Sequence, residues 1–141
     1  MSKATTETAK KMLQLIDLTT DHGKLTWLMI AFLHDTRASF HECASLRISD
    51  VYKNGNSRKT LALGQDQRRR TAILGPHTRK VVEALLLLSA KWGHQASPDT
   101  PLFRLPSGNP FQADQMARLF WLYQEAAKTE EKAAPILCPQ S

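Results

Sequence analysis

The sequence is short of the features that announce most chemistries. Its two cysteines, Cys43 and Cys138, lie far apart with no C-x-x-C or metal-ligand spacing. That argues against a structural zinc site and fits a reducing compartment, with one thiol buried and one in the C-terminal segment. The five histidines are scattered without ligand spacing, so neither a metal nor a cofactor is expected. There is no Walker loop, no G-x-G-x-x-G, no H-E-x-x-H and no G-x-S-x-G. The longest apolar run, Leu25 to Leu33, is about half of the ~20 residues needed to span a bilayer. The opening MSKATTETAKKML holds no apolar stretch closed by a small-residue cleavage site. These absences predict a cytoplasmic protein without a membrane partner. Aromatics make up 7% of the chain, too few beside the basic residues to stack bases of a single strand.

What the chain does have is positive charge in one place. Between Arg47 and Lys80 there are nine Lys and Arg against two acids, a surplus of seven in a chain that nets only +6. The remainder is therefore close to neutral. A basic excess confined to one segment is the electrostatic footprint of a nucleic-acid site, whereas evenly spread charge serves solubility. The candidate phosphate contacts are Arg58, Lys59, Arg68, Arg69, Arg70, Arg79 and Lys80, followed by Arg47 and Lys53. The competing reading of Arg68-Arg69-Arg70 is a charged strand edge that discourages edge pairing.

With 141 residues and 42% hydrophobic content, the chain suits one globular domain, placed at residues 1–128 with a tail at 129–141. Ala9, Met12, Leu13 and Ile16 follow the spacing of an amphipathic helix that Thr5 or Thr6 can cap. Leu25 to Leu33 is apolar on every side, which predicts a helix at the centre of the core. Ser39-Phe40-His41-Glu42 reads as a capping box that starts a short helix through Leu46. Asn54-Gly55 is a tight hairpin signal. With Val51-Tyr52-Lys53, Lys59–Leu63 and Thr71–Leu74 around it, a three-stranded antiparallel sheet is expected, with a basic second turn from Gly64 to Arg70. Alternation along a strand would send Arg68 and Arg70 one way and Arg69 the other. Pro76 opens a helix that stops near Trp92-Gly93, and a last helix carries Met116, Leu119, Phe120, Tyr123 and Ala127 on one face. The fold class is α+β, a helical bundle carrying a small antiparallel sheet.

Thr36, Glu42, Leu46, Asp50 and Val51 fall on a pattern T-G-x-R-x-x-E-x-x-x-L-x-x-x-D-[IV]. Leu63-Gly64, Arg68, Arg70 and Ile73 or Leu74 match a hairpin of the form L-G-K-G-x-K-x-R-x-V-P-L, and Pro101-Leu102-Phe103 with Gly108-Asn109-Pro110 matches P-L-F-x-x-x-x-G-x-P. In this order, over roughly residues 5 to 128, the chain resembles the first half of the catalytic domain of the tyrosine recombinases, or phage integrases. The resemblance implies a truncated integrase domain that acts on double-stranded DNA.

The departures bear on activity. The family's first catalytic Arg falls at Ser39, its preceding Gly at Arg37, and its hairpin Lys at Gln65. The later groups, including the nucleophilic Tyr, have no counterpart. Paired guanidiniums neutralise charge developing on the phosphate and a Tyr oxygen bonds to it, so each lost donor forfeits about 3 kcal/mol. No catalytic residue is therefore assigned. His34-Asp35-Thr36-Arg37 with Phe40 also resembles the family's second motif, H-D-x-R-x-x-F, which would place His34 and Arg37 in an active site. The residues after Phe40 continue as the first motif does, which favours a helix end. Tyr52 and Tyr123 are the other nucleophile candidates, and a packed aromatic is the commoner role for each. The resulting expectation is a DNA-binding protein that does not cut, a transcriptional or accessory regulator on a plasmid or phage. The alternatives are a recombinase fragment completed by a partner chain, and a module that docks onto a recombinase or onto itself.

Overall fold

The computed structural model describes residues 6–64, 66–95 and 97–137. Thr5, Gln65 and Cys138, each singled out above, lie outside them. Among the described residues there are six helices and four strands: α1 (Thr6–Leu15), α2 (Asp21–Thr36), α3 (Phe40–Ala44), α4 (Ile48–Val51), β1 (Tyr52–Lys53), β2 (Asn56–Ser57), β3 (Thr60–Leu63), β4 (Arg70–Ile73), α5 (Pro76–Lys91) and α6 (Ala113–Leu137). The fold class is α+β, as expected. None of these helices is long and apolar enough to cross a membrane.

Helix α2 occupies the centre because it is apolar all round: Leu25, Met29, Ile30, Ala31, Phe32 and Leu33 are all buried. The Thr20 hydroxyl caps it by accepting from the Gly23 N–H at 2.9 Å. Its two buried threonines do not break the core, since Thr26 donates to the His22 carbonyl and Thr36 to the Phe32 carbonyl, each at 2.8 Å. Around it, α5 packs on one side while α1 and α6 pack together on the other. Met12, Val82, Met116 and Ala127 reach zero exposure in those contacts. Phe32 meets Phe103 edge-on at 5.5 Å, and Phe40 meets Phe120 in the same way. The segment after α5 returns to the α3–α4 junction, where Ile48 N–H donates to the Thr100 carbonyl and Leu102 N–H to the Leu46 carbonyl, both at 2.9 Å.

The strands pair as two separate antiparallel hairpins, β1–β2 and β3–β4, rather than as one three-stranded sheet. The reason lies upstream. Ile48–Val51 is helical, so β1 begins only at Tyr52. The two-residue turn with Asn54 at φ 55° and Gly55 at φ 80° then fixes Tyr52 opposite Ser57 at once. Strand β1 is spent on β2 before β3 begins. In the second hairpin Leu61 faces Ala72 and Leu63 faces Arg70 on the core side, while Thr60 faces Ile73 and Ala62 faces Thr71 on the solvent side. Leu74, buried, rather than Ile73 takes the apolar place after the turn. Helix α6 continues past Lys128 to Leu137, so the backbone of the stretch read as a tail is helical up to that residue.

Candidate nucleic-acid interface

The capping box at Ser39 is built as the spacing requires. The Ser39 hydroxyl accepts from the Glu42 N–H at 3.1 Å, and the Glu42 carboxylate accepts from the Ser39 N–H at 2.9 Å. Glu42 has a second role that the sequence did not announce. Arg70 donates to both of its oxygens, at 2.8 and 3.0 Å, and also to the Arg37 carbonyl at 2.9 Å. One guanidinium thus ties the start of β4 to the start of α3 and the end of α2. The cause is strand geometry: Arg70, Ala72 and Leu74 share the inward face, so Arg70 points under the sheet. Side-chain hydrogen bonds from Arg70 hold the Glu42 carboxyl below the usual carboxylate range, with the Ser39 N–H adding to the effect against partial burial. Glu42 in turn raises Arg70. The periodicity that buries Leu74 would have found the inward Arg70, but not its partner.

The expected alternation of the three arginines does not hold, because only Arg70 belongs to the strand. Asp66–Arg68 forms a single 3-10 turn, and Arg69 joins it to β4. Gly64 makes this turn: its φ is +80°, and a Cβ there would come within 2.5 Å of the Arg68 carbonyl oxygen.

The nine candidate cations fall into distinct environments. Lys53, Lys59, Arg68, Arg69 and Lys80 are exposed and make no ion pair with another described residue. Arg58 is exposed but its Nε donates to the Ser49 carbonyl at 2.8 Å. Arg47 approaches Asp99 only at 3.9 Å. Arg79 is half-buried. Arg68 and Arg69 sit at the closed end of β3–β4. Arg58 and Lys59 lie at its open end, where the Leu74 N–H donates to the Lys59 carbonyl and α5, bearing Arg79 and Lys80, begins two residues after Leu74. Four residues of strand separate the two ends, roughly 13 Å.

The remaining candidates are placed as follows. Tyr52 and Tyr123 are packed against the core. His34, Arg37 and Ser39 line a cavity of about 410 Å³ between α1, α2, α3 and α6, floored by Ile30, Leu33 and Phe120. Arg37 holds the left-handed position that ends α2, with φ 61°, where the resembling pattern has Gly. Cys43 is fully buried, and burial pushes its thiol up, which makes it inert. Among the described residues no group of three His, Cys, Asp or Glu could hold a metal ion.

No protein-family model and no curated protein sequence matches the chain. The structure is similar to the crystal structure of XerA recombinase, with a TM-score of 0.64 and 15% sequence identity, over 91% of this chain and 44% of that one. The fold is recombinase-like. The chain spans less than half the length of that recombinase.

Proposed function

We propose that this chain is a relative of the tyrosine recombinases that binds duplex DNA through the β3–β4 hairpin and does not cut it. The observation that carries the reading is the set of exposed cations at the two ends of one hairpin that make no ion pair among the described residues. Their separation of roughly 13 Å matches a major groove about 12 Å wide, so phosphates on both sides of a groove come within reach. Absence of cutting is supported at Ser39, which stands where the resembling family has its first catalytic Arg and whose hydroxyl is engaged in the capping box. A site built this way positions a protein on DNA, which suits a transcriptional or accessory regulator on a mobile element.

Two measurements test it. Titrating a labelled random duplex at several salt concentrations should give a log K against log salt slope of about −4.5 if five cations each neutralise one phosphate. A flat dependence, or no binding at low salt, would remove the DNA reading. Incubation with nicked suicide substrates should leave no covalent adduct on a denaturing gel. An adduct mapped to Tyr52 or Tyr123 would make the chain an enzyme.

A further inference from the structure

The solvent face of β3–β4 carries no charge. It consists of two cross-strand pairs, Thr60 with Ile73 and Ala62 with Thr71, all four exposed. Ile73 is 79% exposed, above Leu87 at 72% and Trp121 at 57%. Strand alternation does not force an apolar residue onto this face, since the core-side row is already filled by Leu61, Leu63, Ala72 and Leu74. A small patch of methyl groups and two hydroxyls thus lies between two basic ends.

We infer that this face is the base-reading surface, a two-stranded ribbon laid in the major groove with Ile73, Ala62 and the threonine methyls against the C5-methyl groups of thymine. The inference rests on the DNA-binding reading above and adds the part of the duplex that is read. A two-stranded ribbon fits the major groove, and only there does a base pair present a methyl group, to which Ala, Thr and other apolar side chains are the matching contacts. The hydroxyls of Thr60 and Thr71 can donate or accept beside it. The basic residues at either end are placed to fix the ribbon through phosphates, which position without specifying. A purely apolar protein partner fits this face less well, because cations with no ion pair among the described residues flank the patch and threonines divide it.

The test replaces thymine by uracil, which removes the methyl and keeps every pairing atom. Three duplexes of equal length are titrated by fluorescence anisotropy at one salt concentration: A·T-rich with thymine, the same with uracil, and G·C-rich. Each buried methyl is worth about fourfold, so two should make wild type favour the thymine duplex over the uracil duplex on the order of tenfold. Ile73→Ala should reduce that ratio to about fourfold or less while leaving the salt slope unchanged. The exposure of Ile73 makes this variant safe for folding, and the thymine-to-uracil comparison on wild type needs no variant at all. Equal affinity for the two A·T duplexes overturns the inference and leaves DNA binding standing. A preference that survives intact in Ile73→Ala overturns it as well, by placing the methyl contact elsewhere. No binding to any of the three duplexes overturns the proposed function together with this inference.

Discussion

The two ends of the Gly64–Arg70 connection use the same residue type for opposite purposes. At its root, Arg70 is consumed by the fold, with its guanidinium on Glu42 and on the carbonyl of Arg37, the residue that caps α2. At its tip, Arg68 and Arg69 have no ionic partner among the described residues and remain available to a ligand. What separates them is not charge but strand register: the first residue of β4 faces inward, and the two before it are the end of a 3-10 turn and its link to the strand. A run of three arginines is therefore one structural residue followed, against the chain direction, by two surface ones.

The sharpest break of this comparison is at Gly64. Gly55 and Gly64 share a φ of +80°, but a Cβ at Gly55 meets nothing within 4 Å. Gly55→Ala should cost about 1 kcal/mol, the penalty of the left-handed region alone. Gly64→Ala adds a backbone collision with the Arg68 carbonyl and should cost roughly 2–3 kcal/mol. Urea denaturation of the two variants measures the difference. Equal costs would show that the turn yields without disturbing the root.

Next in size is the Glu42–Arg70 pair. Hydrogen bonds to charged groups contribute about 1.5–3 kcal/mol, and this pair is half-exposed on the Arg70 side, so Arg70→Ala should cost nearer 1 kcal/mol. Glu42→Ala should cost more, since it removes half of the capping box as well. The carboxyl is held below the ordinary Glu value of 4.5 in the folded state. Its contribution is thus fully present above pH 4.5 and is lost as pH falls through the lower folded value. Chemical denaturation of wild type and Glu42→Gln across that window should show their stability difference shrinking towards acid. A difference independent of pH would mean that the carboxylate charge is not what holds Arg70.

The two levels of this arrangement were unequally legible. Ser39 and Glu42 are three residues apart, Asn54 and Gly55 are adjacent, and the apolar run of α2 is continuous, so local spacing exposes all three. Arg70 and Glu42 are 28 residues apart, and no periodicity links a strand start to a helix start. The split of the sheet was hidden for a related reason. Val51 beside Tyr52 reads as strand by composition, yet the Asp50 carboxylate accepts from the Arg47 N–H at 2.8 Å and closes a helical turn that holds Val51. That shortens β1 to two residues and leaves β3 only β4 to pair with. For the candidate site, charge counting located the segment but could not sort its members. Sorting them needed inward and outward faces, which depend on where β4 begins.

A smaller effect, of opposite sign, is expected at Arg37. Its φ of 61° is a position that Gly occupies without steric cost, and its backbone contacts to Leu33 and Arg70 do not depend on the side chain. Arg37→Gly should stabilise the protein by less than about 1 kcal/mol, since the loss of the side chain's own contact offsets part of the gain. A small rise in Tm checks this. A clear fall would show that the Arg37 side chain matters more to the end of α2 than its backbone conformation does.

The least effect on folding is expected at the tip, and there the comparison becomes a functional one. Arg68→Ala with Arg69→Ala removes two exposed charges that make no ion pair among the described residues, so stability should change by less than about 0.5 kcal/mol. If each neutralises one phosphate, the log K against log salt slope should flatten by about 2 units, at ~0.9 per contact, for any duplex sequence. Arg70→Ala should do the reverse, lowering stability while leaving the slope nearly unchanged, because its guanidinium is already neutralised by Glu42. Salt titrations of the two variants, with circular dichroism showing both folded, separate the cases. A flattened slope in Arg70→Ala would mean that DNA draws Arg70 away from Glu42, and that root and tip bind as one. An unchanged slope in the double variant would leave the two arginines as protection of a strand edge, and would shift the phosphate contacts to Lys53, Lys59 and Lys80.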